Sequence, residues 1–403
     1  MKAVVFTLGC KVNEVESAQI LSELEKRGYE TSCELSYSDI YVLNTCAVTR
    51  EAERKSRQLL SRVKKFNPQA KIYVCGCASE KNAAQFERCG VTFVGGARGK
   101  EAVVNAITHD FYGGYCPSLG YPKQVKTRAF IKIEDGCNNF CSYCVIPYLR
   151  GRVTSRTAED IAAEVRSVTA PEMVLTGINI SAYDGHEEGL SGLIKRLYFT
   201  DKRVRLGSLE CNVITEELLL ALRGLRDFAP QFHLSLQSGS NAVLRAMNRH
   251  YTREEYLEKC KLIYYYFPDA AITTDIIAGF CGESEEDFKQ SLGIIGEAGF
   301  ARVHAFAFSP REGTVAYSLK DVDGAVKSER LHRLISAGKA AEERYVKVRL
   351  GREYAVISED FDGEYTSGYT QGYIKVYMPG ERTGKVSVVL ERPFRDGVLA
   401  RVK

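Results

Sequence analysis

Three cysteines fall within eight residues, Cys137-Asn138-Asn139-Phe140-Cys141-Ser142-Tyr143-Cys144, and form the densest group of soft ligands in the sequence. Three thiolates on one short loop match three irons of a 4Fe-4S cube and leave the fourth iron open to substrate. A structural zinc ion is a competing occupant, but it needs a fourth protein ligand, and no histidine stands near the run, His186 being far along the chain. Buried cysteines with no ligand are the remaining alternative. A second, dispersed group is Cys10, Cys46 and Cys77, each shortly after an apolar run. The chain has 13 cysteines. That odd number at irregular spacing does not make a secreted disulfide framework, and disulfides rarely persist in a reducing compartment. Ligation is the use these thiols point to.

The elements that carry the thiols follow from periodicity. In the first third, apolar runs at 2–7, 40–44, 71–74 and 91–94 alternate with helical stretches, which predicts βαβ units and a parallel sheet. Asn13-x-x-Glu16 resembles a capping box for a helix that carries Ala18, Leu21 and Leu24 and stops at Gly28. A basic helix closed by Pro68 follows the second strand. Cys10, Cys46 and Cys77 come just past the carboxyl ends of three different strands, the edge where open α/β sheets bind ligands, so they are predicted to converge. Cys75 offers a second thiol beside Cys77, and a spare cysteine is ordinarily a small core residue; Cys33, Cys89, Cys116, Cys211, Cys260 and Cys281 are read the same way.

From about residue 129 the alternation has a longer period, with strands at 129–133, 173–176, 204–208, 232–236, 272–277 and 303–308 and helices at 157–168, 215–222, 253–265 and 285–298. Six βα units, where a closed TIM barrel has eight, predict an open barrel whose gap would admit a bulky substrate. Polar residues cluster after its strands at the cysteine run, Gly177-Ile178-Asn179, Glu210, Gln237-Ser238, Gly279 and Arg311. After a charged helix at about 327–348, apolar and polar residues alternate from 351 to 403 with turns at Asp362-Gly363, Pro379-Gly380 and Asp396-Gly397, which predicts a small all-β barrel. The expected fold is α/β with three domains: an open parallel-sheet domain over 1–125, a six-unit (β/α) partial TIM barrel over 126–340, and an all-β barrel over 341–403.

The chain has 403 residues, 45% hydrophobic and 26% charged, as in ordinary globular proteins. No apolar run reaches the roughly 18 residues of a bilayer-spanning helix, and the start, Met1-Lys2-Ala3-Val4-Val5-Phe6, shows no signal-peptide pattern; a cytoplasmic protein is expected. A net charge of +4 does not by itself mark a nucleic-acid binder. Between Arg50 and Lys71, however, eight basic residues stand against two acids, Glu51 and Glu53. A solvated helix face is the plain reading of that excess.

Cys-x-x-x-Cys-x-aromatic-Cys after a first barrel strand resembles the radical S-adenosylmethionine superfamily. The resemblance implies a 4Fe-4S cluster on Cys137, Cys141 and Cys144, with Tyr143 beside the adenine of S-adenosylmethionine, which the cluster splits to methionine and a 5′-deoxyadenosyl radical. Thr7-Leu8-Gly9-Cys10-Lys11-Val12-Asn13, Asn44-Thr45-Cys46-Ala47-Val48-Thr49 and Gly76-Cys77 are similar to the three cysteine motifs of the methylthiotransferases. So are Ile146-Pro147-Tyr148-x-Arg150-Gly151-Arg152, Leu175-Thr176-Gly177-Ile178-Asn179, Leu236-Gln237-Ser238-Gly239-Ser240, Met247-Asn248-Arg249 and Ser309-Pro310-Arg311-Glu312-Gly313-Thr314. The likeness spans the chain, and the C-terminal segment resembles a TRAM domain.

This resemblance implies a second, auxiliary 4Fe-4S cluster on Cys10, Cys46 and Cys77. One S-adenosylmethionine would methylate a sulfur held there, and a second would be split at the Cys137 cluster to activate the substrate carbon. Cofactor contacts are expected from Gly177, Asn179, Glu210, Gln237, Ser238 and Gly279, and RNA contacts from Arg150, Arg152, Arg156 and Lys375, the last interleaved with Tyr369, Tyr373 and Tyr377. Gly-Cys-Lys-Val-Asn together with Gly368-Tyr369-Thr370-x-x-Tyr373-Ile374-Lys375-Val376 is similar to the subgroup that modifies N6-threonylcarbamoyladenosine at position 37 of tRNA. That subgroup implies the anticodon loop of ANN-decoding tRNAs as substrate, an electron donor such as flavodoxin or ferredoxin, and a monomer. Rival readings are an isopentenyl-adenosine enzyme, whose first motif reads Gly-Cys-Gln-Met-Asn, a ribosomal-protein aspartate methylthiotransferase with Gly-Cys-Pro-Lys-Asn, and a non-enzymatic iron-sulfur RNA-binding sensor.

Overall fold

The computed structural model describes residues 1–47, 50–111, 114–123 and 127–403, residue 50 through its backbone alone. Runs rich in Val, Ile and Tyr form parallel strands where helices cover both faces of a sheet. Strands β1 (Lys2–Thr7), β2 (Glu30–Ser32), β3 (Ile40–Thr45), β4 (Lys71–Gly76) and β5 (Phe93–Val94) pair in the order β2-β1-β3-β4-β5, all parallel. Every residue of β3 is buried. β2 has no apolar run to announce it; Glu30, Thr31 and Ser32 become a strand by pairing with β1.

The helix Lys11–Lys26 corrects the capping-box expectation. It starts at Lys11 with Cys10 as its N-cap, so Asn13 and Glu16 lie inside it, both buried. Their side chains bind strand ends of the first domain and Arg150 of the next rather than the helix's own N–H groups.

The second unit contains β6 (Arg128–Lys132), a short antiparallel pair β7 (Glu134–Asp135) and β8 (Thr154–Ser155), then β9 (Glu172–Thr176), β10 (Arg203–Leu206), β11 (Ser208–Leu209), β12 (Gln231–Leu234), β13 (Ala271–Ala278) and β14 (Arg302–Ala307). They form two parallel sheets, β10-β9-β6 and β11-β12-β13-β14, with β10 and β11 continuing one another across Gly207. The result is six strand positions with an open edge at β6 and β14, as the period predicts. The helices Ala158–Ser167, Glu216–Arg223, Arg253–Tyr266 and Glu285–Glu297 back this sheet, and the side chains of Thr157, Thr215, Thr252 and Ser284 cap them by accepting the third helical N–H.

The helix Gly324–Lys347 runs through the expected boundary at 340/341, and the last barrel begins only at Glu353. β15 (Glu353–Phe361), β16 (Tyr365–Thr370), β17 (Lys375–Pro379), β18 (Lys385–Phe394) and β19 (Gly397–Val402) close in the order β15-β16-β17-β19-β18. This small barrel docks at the amino ends of the larger barrel's strands. Arg128 pairs with Glu172 and with Glu359, Arg203 donates to Ala355 O (3.2 Å), and Arg205 donates to Gln371 O (3.0 Å) and Thr370 O (3.3 Å). Tyr369 and Tyr373 stack 4.8 Å apart beneath Arg128 and Arg205. The other expected boundary, at 125/126, lies outside the described residues, as do Val48 and Thr49 of the second cysteine motif. Among the described residues no helix is long and apolar enough to cross a membrane.

Candidate active site between the first two domains

Cys10, Cys46 and Cys77 leave the carboxyl ends of β1, β3 and β4, which are neighbours in the sheet. Two glycines allow the approach. A Cβ on Gly9 (φ +137°) would stand 2.8 Å from Cys46 Cβ, and one on Gly76 (φ +107°) would stand 2.2 Å from Thr45 O. Cys10 Sγ donates to Asn13 Oδ1 (3.4 Å), and Asn13 Nδ2 donates to Asn44 Oδ1 (3.2 Å) and Thr45 O (3.0 Å), so one buried amide ties the ends of β1 and β3 together. Cys77 is close enough to feel a charge on Cys10. Cys75 faces the opposite side of the sheet among Ala3, Val5, Val42 and Val103, where burial pushes its thiol up to about 11; it is a core residue. Cys116, Cys211, Cys260 and Cys281 are buried too, whereas Cys33 and Cys89 are exposed and depart from the core reading.

The loop 137–144 is held from both sides. Phe140 adopts φ +46° and packs edge-on against Tyr148. Asn248, itself at φ +58°, donates to Asn139 O (3.2 Å) and Phe140 O (3.1 Å). Ser142 N–H donates to Met247 O (3.0 Å). Arg249 Nη1 donates to Cys141 Sγ at 3.3 Å while its Nη2 pairs with Glu210 at 2.9 Å, and Glu210 also accepts from Asn139 Nδ2 at 2.5 Å. Asn179 Nδ2 reaches Cys137 Sγ at 3.8 Å. Burial pushes Cys144 up to about 12 and raises Cys137, and negative charge on Cys141 acts on both in the same direction.

The two triads share one apolar contact. Ala47, Cys77, Ala78 and Ile146 are buried in a single cluster against which Cys137, Cys144, Leu149 and Ile178 pack. The polar counterpart of that contact is Arg150, whose side chain is 0% exposed. Its Nε donates to Cys77 Sγ at 3.3 Å, Nη1 to Glu16 (2.9 Å) and Asp135 (3.0 Å), and Nη2 to Asn13 Oδ1 (3.1 Å) and Glu16 (3.3 Å). Burial alone would raise the Glu16 carboxyl, but Lys100, Lys132 and Arg150 outweigh it and hold the group at about 2. Arg311, on the other flank, binds Ala47 O and Glu53, anchoring the segment after Cys46.

Several expected contacts are placed differently. Arg150 is a buried cation and has no surface to offer a phosphate. Arg156 is likewise committed, to Asp160 (2.7 Å), Glu164 and Lys132 O (2.8 Å). Arg152 is exposed, its guanidinium 4.5 Å from the Phe140 ring centre, and Lys375 pairs with Asp396 at 2.9 Å over the Tyr377 ring. Ser238 is fully buried and serves Ser240 N–H and Ser291 rather than the barrel mouth. Gly279 (φ +71°) gives room to Lys327 Cγ, which a Cβ would meet at 2.3 Å. Gln237 (φ +73°) is buried, its N–H donating to Asp275 O. Tyr143 packs edge-on against Phe280. Gly177 and Asn179 converge on Glu134: a Cβ on Gly177 would stand 2.0 Å from Glu134 Oε1, which accepts the Asn179 N–H at 2.5 Å. Burial pushes the Glu134 carboxyl up to about 7, and its Oε2 is buried with no hydrogen-bond partner. Glu134 and Asp135 are site residues that motif reading passes over, and Glu16 and Arg249 stand in motifs that give them no role at the site. The signal for the first two is a pair of acids at the end of an apolar strand, directly before the cysteine run.

The donor set fits iron-sulfur clusters. Among the described residues no group of three or more His, Cys, Asp or Glu is placed to hold a metal ion, and the fit to an iron-sulfur cluster rests on donor chemistry, three soft thiols in each triad. In each triad one sulfur takes an N–H from a buried guanidinium, which suits a thiolate that carries negative charge onto a cluster. An open (β/α) barrel with three thiols at its catalytic end defines a radical S-adenosylmethionine protein. The model described as "Radical SAM superfamily" matches residues 131–294, and "Uncharacterized protein family UPF0004" matches residues 2–94. TsrM from Kitasatospora setae, a radical S-adenosylmethionine methyltransferase, superposes with a TM-score of 0.57 at 14% identity over 76% of this chain and 74% of that one, a likeness of fold alone.

Full-length relatives narrow the class. Threonylcarbamoyladenosine tRNA methylthiotransferase MtaB of Chlamydia pneumoniae is 35% identical over 98% of this chain and 96% of its own, and that of Bacillus subtilis 33% identical over 100% and 97%. tRNA-2-methylthio-N(6)-dimethylallyladenosine synthase of Thermoanaerobacter sp. is 35% identical over 98% and 88%. The chain belongs to the radical S-adenosylmethionine tRNA methylthiotransferase family.

Proposed function

We propose that this enzyme places a methylthio group on carbon 2 of N6-threonylcarbamoyladenosine at position 37 of tRNA, with one 4Fe-4S cluster on Cys137, Cys141 and Cys144 and another on Cys10, Cys46 and Cys77. The observation that carries this is the placement of two cysteine triads on either side of one buried contact, Cys77 from the first domain and Cys137 and Cys144 from the second. Bound there, the clusters supply the electron that splits S-adenosylmethionine and the site from which sulfur is delivered. The chain's own residues do the rest: the Arg249–Glu210 pair and Asn248 hold the loop 137–144, the Glu134 carboxylate holds the backbone of 177–179 toward it, and the open edge at β6 and β14 leaves a way in for an extruded nucleotide. Electrons come from a one-electron donor of the flavodoxin or ferredoxin type.

Lys11 favours the threonylcarbamoyl substrate. It is exposed beside Cys10, and its ammonium makes no ion pair or hydrogen bond among the described residues. Its own desolvation and the charges of Arg205 and Arg128 lower its pKa, and Glu14 and Glu172 oppose the shift. A cation beside Cys10 suits the carboxylate that threonylcarbamoyladenosine carries and dimethylallyladenosine lacks. The second reading, the dimethylallyl substrate, has relatives of equal identity behind it. Nucleoside mass spectrometry of tRNA from cells with and without the gene decides: accumulation of threonylcarbamoyladenosine, unrescued by Cys141→Ala, supports the proposal, and loss of the methylthio group from the isopentenyl nucleoside moves the substrate to the other subgroup.

A further inference from the structure

We infer that Arg150 is a positioning residue that sets the reduction potential of the auxiliary cluster; this rests on the two-cluster reading above. The five N–H groups of a guanidinium form a rigid planar fork, and Arg150 uses that fork on three structures at once. Nε donates to Cys77 Sγ. Nη2 donates to Asn13, the residue that receives the Cys10 thiol. Nη1 donates to both oxygens of Asp135 (3.0 Å each), two residues ahead of Cys137. Arg150 itself ends the helix Ile146–Arg150 that follows Cys144. One buried side chain therefore touches one thiol of the first triad, the amide that receives a second, and a residue just ahead of the loop that bears the other triad.

A bare ion pair does not require this arrangement. Glu16 already faces Lys100 at 3.5 Å and Lys132 at 3.4 Å, so its charge is compensated without Arg150. What Arg150 adds is a positive charge and an N–H directly on a cluster sulfur in a water-excluded site, where electrostatic interactions are strong. Hydrogen bonds to cluster sulfurs and local charge are among the levers that set iron-sulfur potentials. A cation on Cys77 Sγ stabilises the reduced, more negative state and raises the potential. Arg249 on Cys141 Sγ, also 3.3 Å away, is the corresponding group on the other triad, but its remaining contacts stay within the second domain, to Glu210, Ser235 and Tyr251. Arg150 alone among these two reaches across.

The test uses the full chain with Cys137, Cys141 and Cys144 changed to Ala, so that any cluster present is the auxiliary one. Iron and sulfide content and an EPR-monitored potentiometric titration are measured with Arg150 intact, with Arg150→Lys, and with Arg150→Gln paired with Asp135→Asn, which removes the cation without stranding its carboxylate. The expected result is a loaded cluster whose potential moves negative, further in the double change than in Arg150→Lys. A loaded cluster with an unmoved potential in either variant overturns the inference and leaves the two-cluster reading intact; if the double change fails to fold, Arg150→Lys, which loses the fork but keeps the charge, decides in the same way. A triple-alanine protein that takes up no iron removes the auxiliary cluster, and the inference with it.

Discussion

At the scale of the residue, the site departs most from ordinary solution chemistry at Glu134. Its carboxyl, buried and raised from 4.5 to about 7, binds a proton more tightly in the folded chain than in the unfolded one. Stability is therefore full below about 4.5 and falls as pH rises toward 7, by on the order of 3 kcal/mol. Glu134→Gln keeps an oxygen for the Asn179 N–H and has no charge to bury. The Tm of the metal-free variant is expected to exceed that of the wild type at pH 8 and to converge with it near pH 5; parallel Tm curves across that range would refute the assignment. Lys11→Gln tests substrate choice in the same residue-by-residue way. A lost charge-assisted hydrogen bond of about 1.5–3 kcal/mol lowers kcat/KM on threonylcarbamoyladenosine-bearing tRNA by roughly ten-fold or more, with no comparable loss on dimethylallyladenosine-bearing tRNA. Equal losses on both would place Lys11 in cluster support instead.

Elements were legible where their periodicity is strong, and the site where one loop or one sheet edge carries it. The strands β1, β3, β4 and β13 follow directly from apolar runs, and the convergence of Cys10, Cys46 and Cys77 follows from three strand ends in one parallel sheet. Asn13-x-x-Glu16 misled because a capping box and a buried polar bridge use the same residue types; only the third dimension shows that Glu16 faces Arg150, 134 residues away. Arg150 misled for the same reason, since a sequence does not reveal that a basic residue's carboxylate partners lie close by in space. Turn geometry, by contrast, gives a test within one element. At Gly76 a Cβ meets backbone rather than a yielding side chain, on a left-handed φ. Gly76→Ala is expected to displace Cys77 and halve the iron content of reconstituted protein, while S-adenosylmethionine cleavage to 5′-deoxyadenosine survives. Unchanged iron would show that the auxiliary site tolerates a shifted β4 end.

On the scale of the whole molecule, the first two domains are held by a charge network and the last two by guanidinium–tyrosine stacks, and both can be titrated or screened. Glu16, held at about 2, contributes stability that is complete above about 4.5 and is lost as pH falls through 2. In metal-free protein Glu16→Gln is expected to lower Tm at pH 7, by about 3 kcal/mol equivalent, with the gap to wild type closing as pH drops below 4. A gap that stays constant into acid would mean the network adds shape and no charge stabilisation. RNA affinity separates surface cations from buried ones. Each phosphate contact releases counterions, so tRNA binding should weaken steeply between 50 and 200 mM salt, and losing one contact should flatten the log–log slope by about 1. Arg152 is exposed beside the cysteine loop, so Arg152→Gln should flatten that slope, whereas Lys375, paired with Asp396 at 2.9 Å, should behave as a neutralised cation. Arg156→Gln, acting on a cation already neutralised by Asp160 and Glu164, should leave the slope unchanged even if affinity falls. A flatter slope for Arg156→Gln would mean that RNA binding breaks those pairs and that the guanidinium swings out to the phosphate backbone.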